Sequence, residues 1–361
     1  MPRGKAQHIF MDKFDVHVKG KGYTPKKTIM NFSCRAHFVL LILISYYLIM
    51  DIVTYVNLQR ITLTDQVYTG SYSIFHPMTA KLLMSDHTNH YVLVLTSEYF
   101  DIWTGFSKRF SFITPNMVSV THLVVALIAA KYVSSENLSN RRKGVILYEV
   151  KMWLDSLDGV IYRSQHNDPV YMSHPNTLGY FVDMISDILS GVAISFGVLF
   201  YLFKTRSVNR KDHELLLPLT KSEIDETDDE SSEKKETLTE PSKRTILWKC
   251  WCFGFQIFVS SASWDRRILA IENVLEVNLH DPKKTELQTV ALHSFSTWFV
   301  MYLWRLFCGQ SLLQIYMLVI FMDKVWEFLN LVQYLGYVIL LSINIITVIH
   351  INHMKAVIGI N

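Results

Sequence analysis

The sequence predicts an all-α protein, a polytopic integral membrane helical bundle. Three observations carry that class. Half of the 361 residues are hydrophobic and only 19% are charged. The apolar residues gather into runs at 37–56, 112–133, 144–161, 179–203, 246–263, 291–322 and 329–352. Exposed sheet edges cannot sit in lipid, so runs of this kind cross a bilayer core of about 30 Å as helices. The net charge of +3 is small and gives no footprint for nucleic acid. Cys34, Cys250, Cys252 and Cys308 lie in or beside apolar runs. Cys250-Trp-Cys252 lacks zinc spacing, so the cysteines read as packing residues.

Residues 1–36 form a basic tail, with eight Lys and Arg against two acids. Residues 37–56, a run of 20 with one interior acid, form an N-terminal transmembrane helix. That run starts too late and is too long for a cleaved signal. Residues 57–111 are polar but rich in aromatics, which suits an ordered interfacial segment. Residues 112–352 hold the remaining spans, and 291–322 is long enough for one helix or two. The charged, Ser/Thr/Glu-rich stretch 204–245 buries too little apolar surface to fold, and is expected to be a disordered connection. Trp103, Trp153, Trp298 and Trp304 fall near span ends, where aromatic belts sit.

Lys and Arg near the span ends give an orientation. Alternate threading of the first four spans puts the basic tail, the link around Arg141-Arg142-Lys143 and the 204–245 connection on one side, the cytoplasmic one. Segments 57–111 and 162–179 then face a lumen. Arg266, Arg267, Lys283 and Lys284 in the link 264–290 weigh against this.

The acids of this apolar chain concentrate between 155 and 187. Asp155 and Asp158 are three apart, so both carboxylates project from one side of a helix near its end. Gly159 follows and leaves room for a close approach, and Arg163 is placed to hold a phosphate bidentately. After a 15-residue link, Gly179, Asp183 and Asp187 form one stripe on the next helix. Unpaired acids inside a membrane are expensive and mark functional sites. Two divalent cations would neutralise the four carboxylates, and oxygen ligands favour Mg²⁺ or Mn²⁺. Such a site suits in-line attack on a pyrophosphate, with the last acid available as general base.

The run Asp155-x-x-Asp158-Gly159-x-x-Tyr162-Arg163, followed by Gly179-x-x-x-Asp183-x-x-x-Asp187, resembles the signature of the CDP-alcohol phosphotransferases. Ile113-Thr-Pro-Asn-Met-Val-Ser119 is similar to the Pro-Asn-x-x-Thr start of that family's first core helix. The resemblance implies a six-helix catalytic core, here with an extra N-terminal transmembrane helix. It implies metal ligation by Asp155, Asp158 and Asp183, and Asp187 as ligand or catalytic base. It implies nucleotide and phosphate binding at Gly159, Gly179, Arg163, Asn116 and Ser119, though helix capping alone accounts for Asn116. Two divalent cations, Mn²⁺ or Mg²⁺, follow as cofactors. Tyr162 stands where the family usually has Ala, and the gap before Gly179 is longer than usual. Both features, with lumenal placement, are similar to a sphingolipid-forming branch. That branch implies CDP-ethanolamine as donor, the primary hydroxyl of ceramide as acceptor, a multi-pass Golgi protein, and leaves a homodimer open. Diacylglycerol remains an alternative acceptor, with ethanolamine or choline as the transferred alcohol. A cation-coupled carrier is the alternative from another class. The long link 164–178, with His166 and His174, is either a cover for the head group or a wet polar loop.

Overall fold

The computed structural model describes residues 25–60, 79–166, 177–221, 241–277 and 279–360. Among them every regular element is helical. The chain divides into two units, residues 1–53 and 54–361. Helix α1 (Pro25–Leu58) contains the first apolar run. Its stretch Phe38–Leu58 is long and apolar enough to cross a membrane, and Leu41, Ile49 and Ile52 on it are exposed, as lipid-facing side chains are.

In the second unit, α2 (Ala80–Met84), a π-helical turn (Asn89–Leu93), α3 (Val94–Thr104) and α4 (Phe106–Arg109) precede the long helices. These are α5 (Pro115–Val133), α6 (Leu138–His166), α7 (Leu178–Lys221) and α8 (Lys243–Leu275). Then follow α9 (Pro282–His293), α10 (Phe295–Phe307), α11 (Gly309–Phe321) and α12 (Val325–Ile358). Stretches of α1, α5, α7 and α12 are each long and apolar enough to span, and α10 with α11 makes a fifth if the pair is one span. Helices α6 and α8 fall short of that purely apolar measure, because they carry the polar residues described below.

The segment 291–322 is not one helix. It takes in the end of α9, breaks at Ser294, and breaks again at Cys308 between α10 and α11, which bend by 43°. Ser260 and Ser311 help satisfy the carbonyls freed there, Ser260 Oγ donating to Phe307 O and Ser311 Oγ to Arg305 O. The charged stretch 204–245 also departs from expectation at its edges. Helix α7 continues to Lys221, because its Lys, Arg, Glu and Leu residues extend a helix already nucleated in the apolar run. Residues 222–240, the bulk of the expected disordered connection, lie outside the described residues.

Helix α5 packs along both α6 and α7, and this triple arrangement positions the site. Small residues bring the three backbones together. A Cβ on Gly144 of α6 would lie 2.8 Å from the Ala129 carbonyl oxygen, and one on Gly197 of α7 would lie 2.6 Å from that of Ala130. In lipid, where burial gives no hydrophobic drive between helices, such close approach supplies the packing energy. Behind it Ala126, Tyr148, Ile194, Phe253, Tyr316 and Leu329 close one core. A second core joins the ends of α8 and α12 to α10 through Ile268, Met301, Trp304, Leu340 and Ile351. Trp304 is thus no belt residue: it is fully buried and donates its indole N–H to Thr347 Oγ1 at 2.8 Å.

Candidate functional site

Helix α5 begins with Thr114 as cap and Pro115 in the first turn, where a missing N–H does no harm. The cap is therefore Thr114, not Asn116. Asn116, Ser119 and His122 follow at intervals of three and share a face. The Asn116 Oδ1 lies 3.5 Å from where a Cβ on Gly179 would stand, so α5 and α7 meet at that glycine. Ser119 is buried and donates to Asp158 Oδ2 at 2.7 Å. His122 is fully buried. Its Nε2 lies 3.6 Å from Asp155 Oδ1, 3.6 Å from Asp183 Oδ1 and 4.0 Å from Asp158 Oδ2.

Asp155 and Asp158 sit about three and two turns inside the end of α6, and Asp183 and Asp187 one and two turns inside the start of α7. They lie deeper than helix ends because both helices run past the motif. Lys151, one turn before Asp155 and itself buried, has its Nζ 2.5 Å from Asp187 Oδ1 and 3.5 Å from Asp155 Oδ2. One buried ammonium thus offsets part of the charge of four carboxylates.

Ligand atoms of His122, Asp155, Asp183 and Asp187 all lie within 4.8 Å of one another. Neither His122 nitrogen has a hydrogen-bond partner among the described residues, nor does the buried Asp183 Oδ1. Buried polar atoms left unpaired cost about 1–3 kcal/mol each, so a cluster of them converging on one point calls for a partner. The donor set and the convergence fit a divalent metal ion.

Arg163 is held by an acid outside the four-carboxylate cluster. Its Nη2 donates to Glu98 Oε1 of α3 at 2.5 Å, which fixes the guanidinium at the rim of the site. Around the cluster lies a cavity of about 2000 Å³ that reaches all the predicted site residues: Asn116, Ser119, the four aspartates, Gly159, Arg163 and Gly179. A Cβ on Gly159 would crowd the Arg163 guanidinium at 3.3 Å. From the link 164–178, residues 167–176 lie outside the described residues. His166 stacks on Tyr162, with ring centroids 4.3 Å apart.

Sequence reasoning missed His122 and Glu98. The available signal for His122 was a lone imidazole in an apolar run, two intervals of three beyond Asn116. Glu98 had none, since its segment shows no spacing that ties it to Arg163.

A bundle of membrane-spanning helices that buries a His–Asp metal-type cluster at the wall of a large cavity defines an integral membrane enzyme. The family model described as ceramide phosphoethanolamine synthase matches residues 73–360. A ceramide phosphoethanolamine synthase of Drosophila melanogaster is 36% identical over 276 residues, covering 76% of this chain and 68% of that protein. No solved structure matches the chain. The chain belongs to the ceramide phosphoethanolamine synthase family and is a transferase.

Proposed function

We propose that the protein transfers phosphoethanolamine from CDP-ethanolamine to the primary hydroxyl of ceramide and releases CMP. The observation that carries this reading is the convergence of Asp155, Asp158, Asp183 and Asp187 on one cavity wall, inside the span matched by the family.

The ceramide oxygen attacks the β-phosphorus, which carries ethanolamine. A new P–O bond forms to ceramide, and the bond to the bridging oxygen breaks, leaving CMP. Asp187, the second of the two acids on α7 and partly open to the cavity, takes the proton of the attacking hydroxyl. Arg163 and the backbone at Gly159 and Gly179 receive the diphosphate, and Asn116 lines the nucleotide end. Ser119 orients Asp158 through its hydroxyl. Asp155, Asp158 and Asp183, with His122, would hold two divalent cations that, when bound, offset charge on the diphosphate and on departing CMP. An imidazole among the carboxylates favours Mn²⁺ over Mg²⁺. The site faces a lumen, with the N-terminus in the cytosol, as the distribution of Lys and Arg implies, and the resemblance to the sphingolipid-forming branch makes that lumen the Golgi's.

The experiment is a donor–acceptor matrix on the purified full-length protein. CDP-ethanolamine, CDP-choline and CDP-diacylglycerol are each offered with ceramide, diacylglycerol and inositol. Ceramide-dependent CMP release from CDP-ethanolamine supports the reading. Transfer only to diacylglycerol overturns the substrate assignment, and no CMP release with any pair overturns the activity. Protease access in sealed Golgi vesicles reads the orientation separately: cleavage in 162–179 with 222–240 protected would invert it.

A further inference from the structure

The cavity holds a fifth acid that the phosphotransfer site does not use. Helix α8 presents Trp251, Gly254, Phe258, Ser261 and Asp265 to it, at alternating steps of three and four, one face of a helix. That face is apolar along most of its length and ends in a carboxylate. Asp265 makes no hydrogen bond or ion pair among the described residues. It is not part of the group of ligand atoms that lie within 4.8 Å of one another, so it stands apart from the metal-type cluster.

Its electrostatic surroundings place it at the same end of the cavity. The charge of Lys81 on α2 is the favourable one acting on Asp265, and Asp187 is the repulsive one. Lys81 in turn feels Arg163, Glu272, Asp265 and Asp183, in that order. Tyr180, one residue beyond Gly179, feels both Asp265 and Asp183. Lys81, Arg163 and Asp265 all line the same cavity, and Lys81 lies within electrostatic reach of the other two.

Asp265 is exposed to the cavity, so its carboxylate is open to accept charge-assisted hydrogen bonds from a bound cation that carries N–H groups. A nucleotide diphosphate brings only negative charge; the one cation on the proposed donor is its terminal ammonium. We propose that Asp265 reads the ammonium of the transferred amino alcohol, with Lys81 on the phosphate beside it. This rests on the donor assigned above. A primary ammonium offers three N–H donors to a carboxylate, whereas a trimethylammonium offers none and is held by aromatic faces. The site therefore selects the primary amine.

The test compares KM and kcat for CDP-ethanolamine and for CDP-ethanol, which lacks the ammonium, in full-length wild type, Asp265→Asn and Asp265→Glu. Loss of one charge-assisted hydrogen-bonded contact corresponds to a change of about 10–100-fold. Wild type should show a KM for CDP-ethanol about 10–100-fold above that for CDP-ethanolamine. Asp265→Asn should raise the CDP-ethanolamine KM by a similar factor, leave the CDP-ethanol KM in place and leave kcat within about threefold; Asp265→Glu should restore most of the preference. A wild type that does not distinguish the two nucleotides overturns the proposal without any variant. A preference that survives in Asp265→Asn, or equal loss on both nucleotides, also overturns it. Failure of wild type to use CDP-ethanolamine with any acceptor overturns the donor assignment instead.

Discussion

His122 Nε2 and Asp183 Oδ1 face each other at 3.6 Å, both buried, and neither has a hydrogen-bond partner among the described residues. An atom pair that is close, polar and unsatisfied is the mark of a place shaped for a third atom. If that atom is a metal ion, His122→Ala removes a ligand. We expect apparent Mn²⁺ affinity to fall by at least 10–100-fold, the range seen for lost support around metal sites. Electron paramagnetic resonance of free Mn²⁺ in titrations reads this without any turnover.

Asp155→Asn and Asp183→Asn should each reduce kcat by about 10³-fold or more, with KM for the donor less affected. The double variant should be little worse than either single one, because residues acting as one unit are not additive. Steady-state CMP release at saturating Mn²⁺ measures both. Asn at either position with turnover near that of wild type would remove the acids from the chemistry.

Lys151 lies between Asp155 and Asp187 as a built-in counter-ion. Lys151→Met leaves those carboxylates uncompensated. We expect the metal-free protein to lose about 2–3 kcal/mol, less than the 3–5 kcal/mol of a fully buried pair because Asp187 is partly exposed. Added Mn²⁺ should recover more stability in the variant than in wild type. Thermal unfolding with and without chelator tests this.

Glu276, just past the end of α8, accepts the Ala80 N–H that opens α2, at 2.5 Å. Burial pushes its carboxyl up to about 7, with Glu272 adding to the rise and the Ala80 N–H opposing it. Its folded pKa is raised, so the folded protein holds a proton that the unfolded chain has lost. Stability therefore falls as pH rises from about 4.5 to about 7 and is flat in this respect above that. Glu276→Gln should remove the fall and leave the protein about 3 kcal/mol more stable at pH 8, at 1.36 kcal/mol per unit. Unfolding measured across pH 4–8 shows whether the slope vanishes.

Much of this site is legible in the sequence. Asp155 with Asp158, and Asp183 with Asp187, are linked by helical spacing alone, since residues three and four apart share a face whatever the fold. Lys151 falls on the same face as Asp155 by the same rule. His122 could not be read, because it joins the acids only through the pairing of α5 with α6 and α7. That pairing depends on Gly144 and Gly197 meeting Ala129 and Ala130, and local periodicity does not report which helices touch. Glu98 was hidden for the same reason. The break at Cys308 sits inside a long apolar run, where Gly309, Gln310 and Ser311 are the local signs of the turn but do not tell a break from a polar stripe on one helix. Trp304 was misplaced because an aromatic near a span end looks alike whether it faces lipid or core.

The most direct measurement is an anomalous difference map from the full-length protein crystallised with Mn²⁺ and CDP. We expect density enclosed by His122, Asp155, Asp158, Asp183 and Asp187, with the diphosphate beside it on the Arg163 side. Absence of Mn²⁺ there, with the ion bound at another place or the carboxylates turned away from one another, would contradict the assignment of this cluster to metal-assisted phosphotransfer.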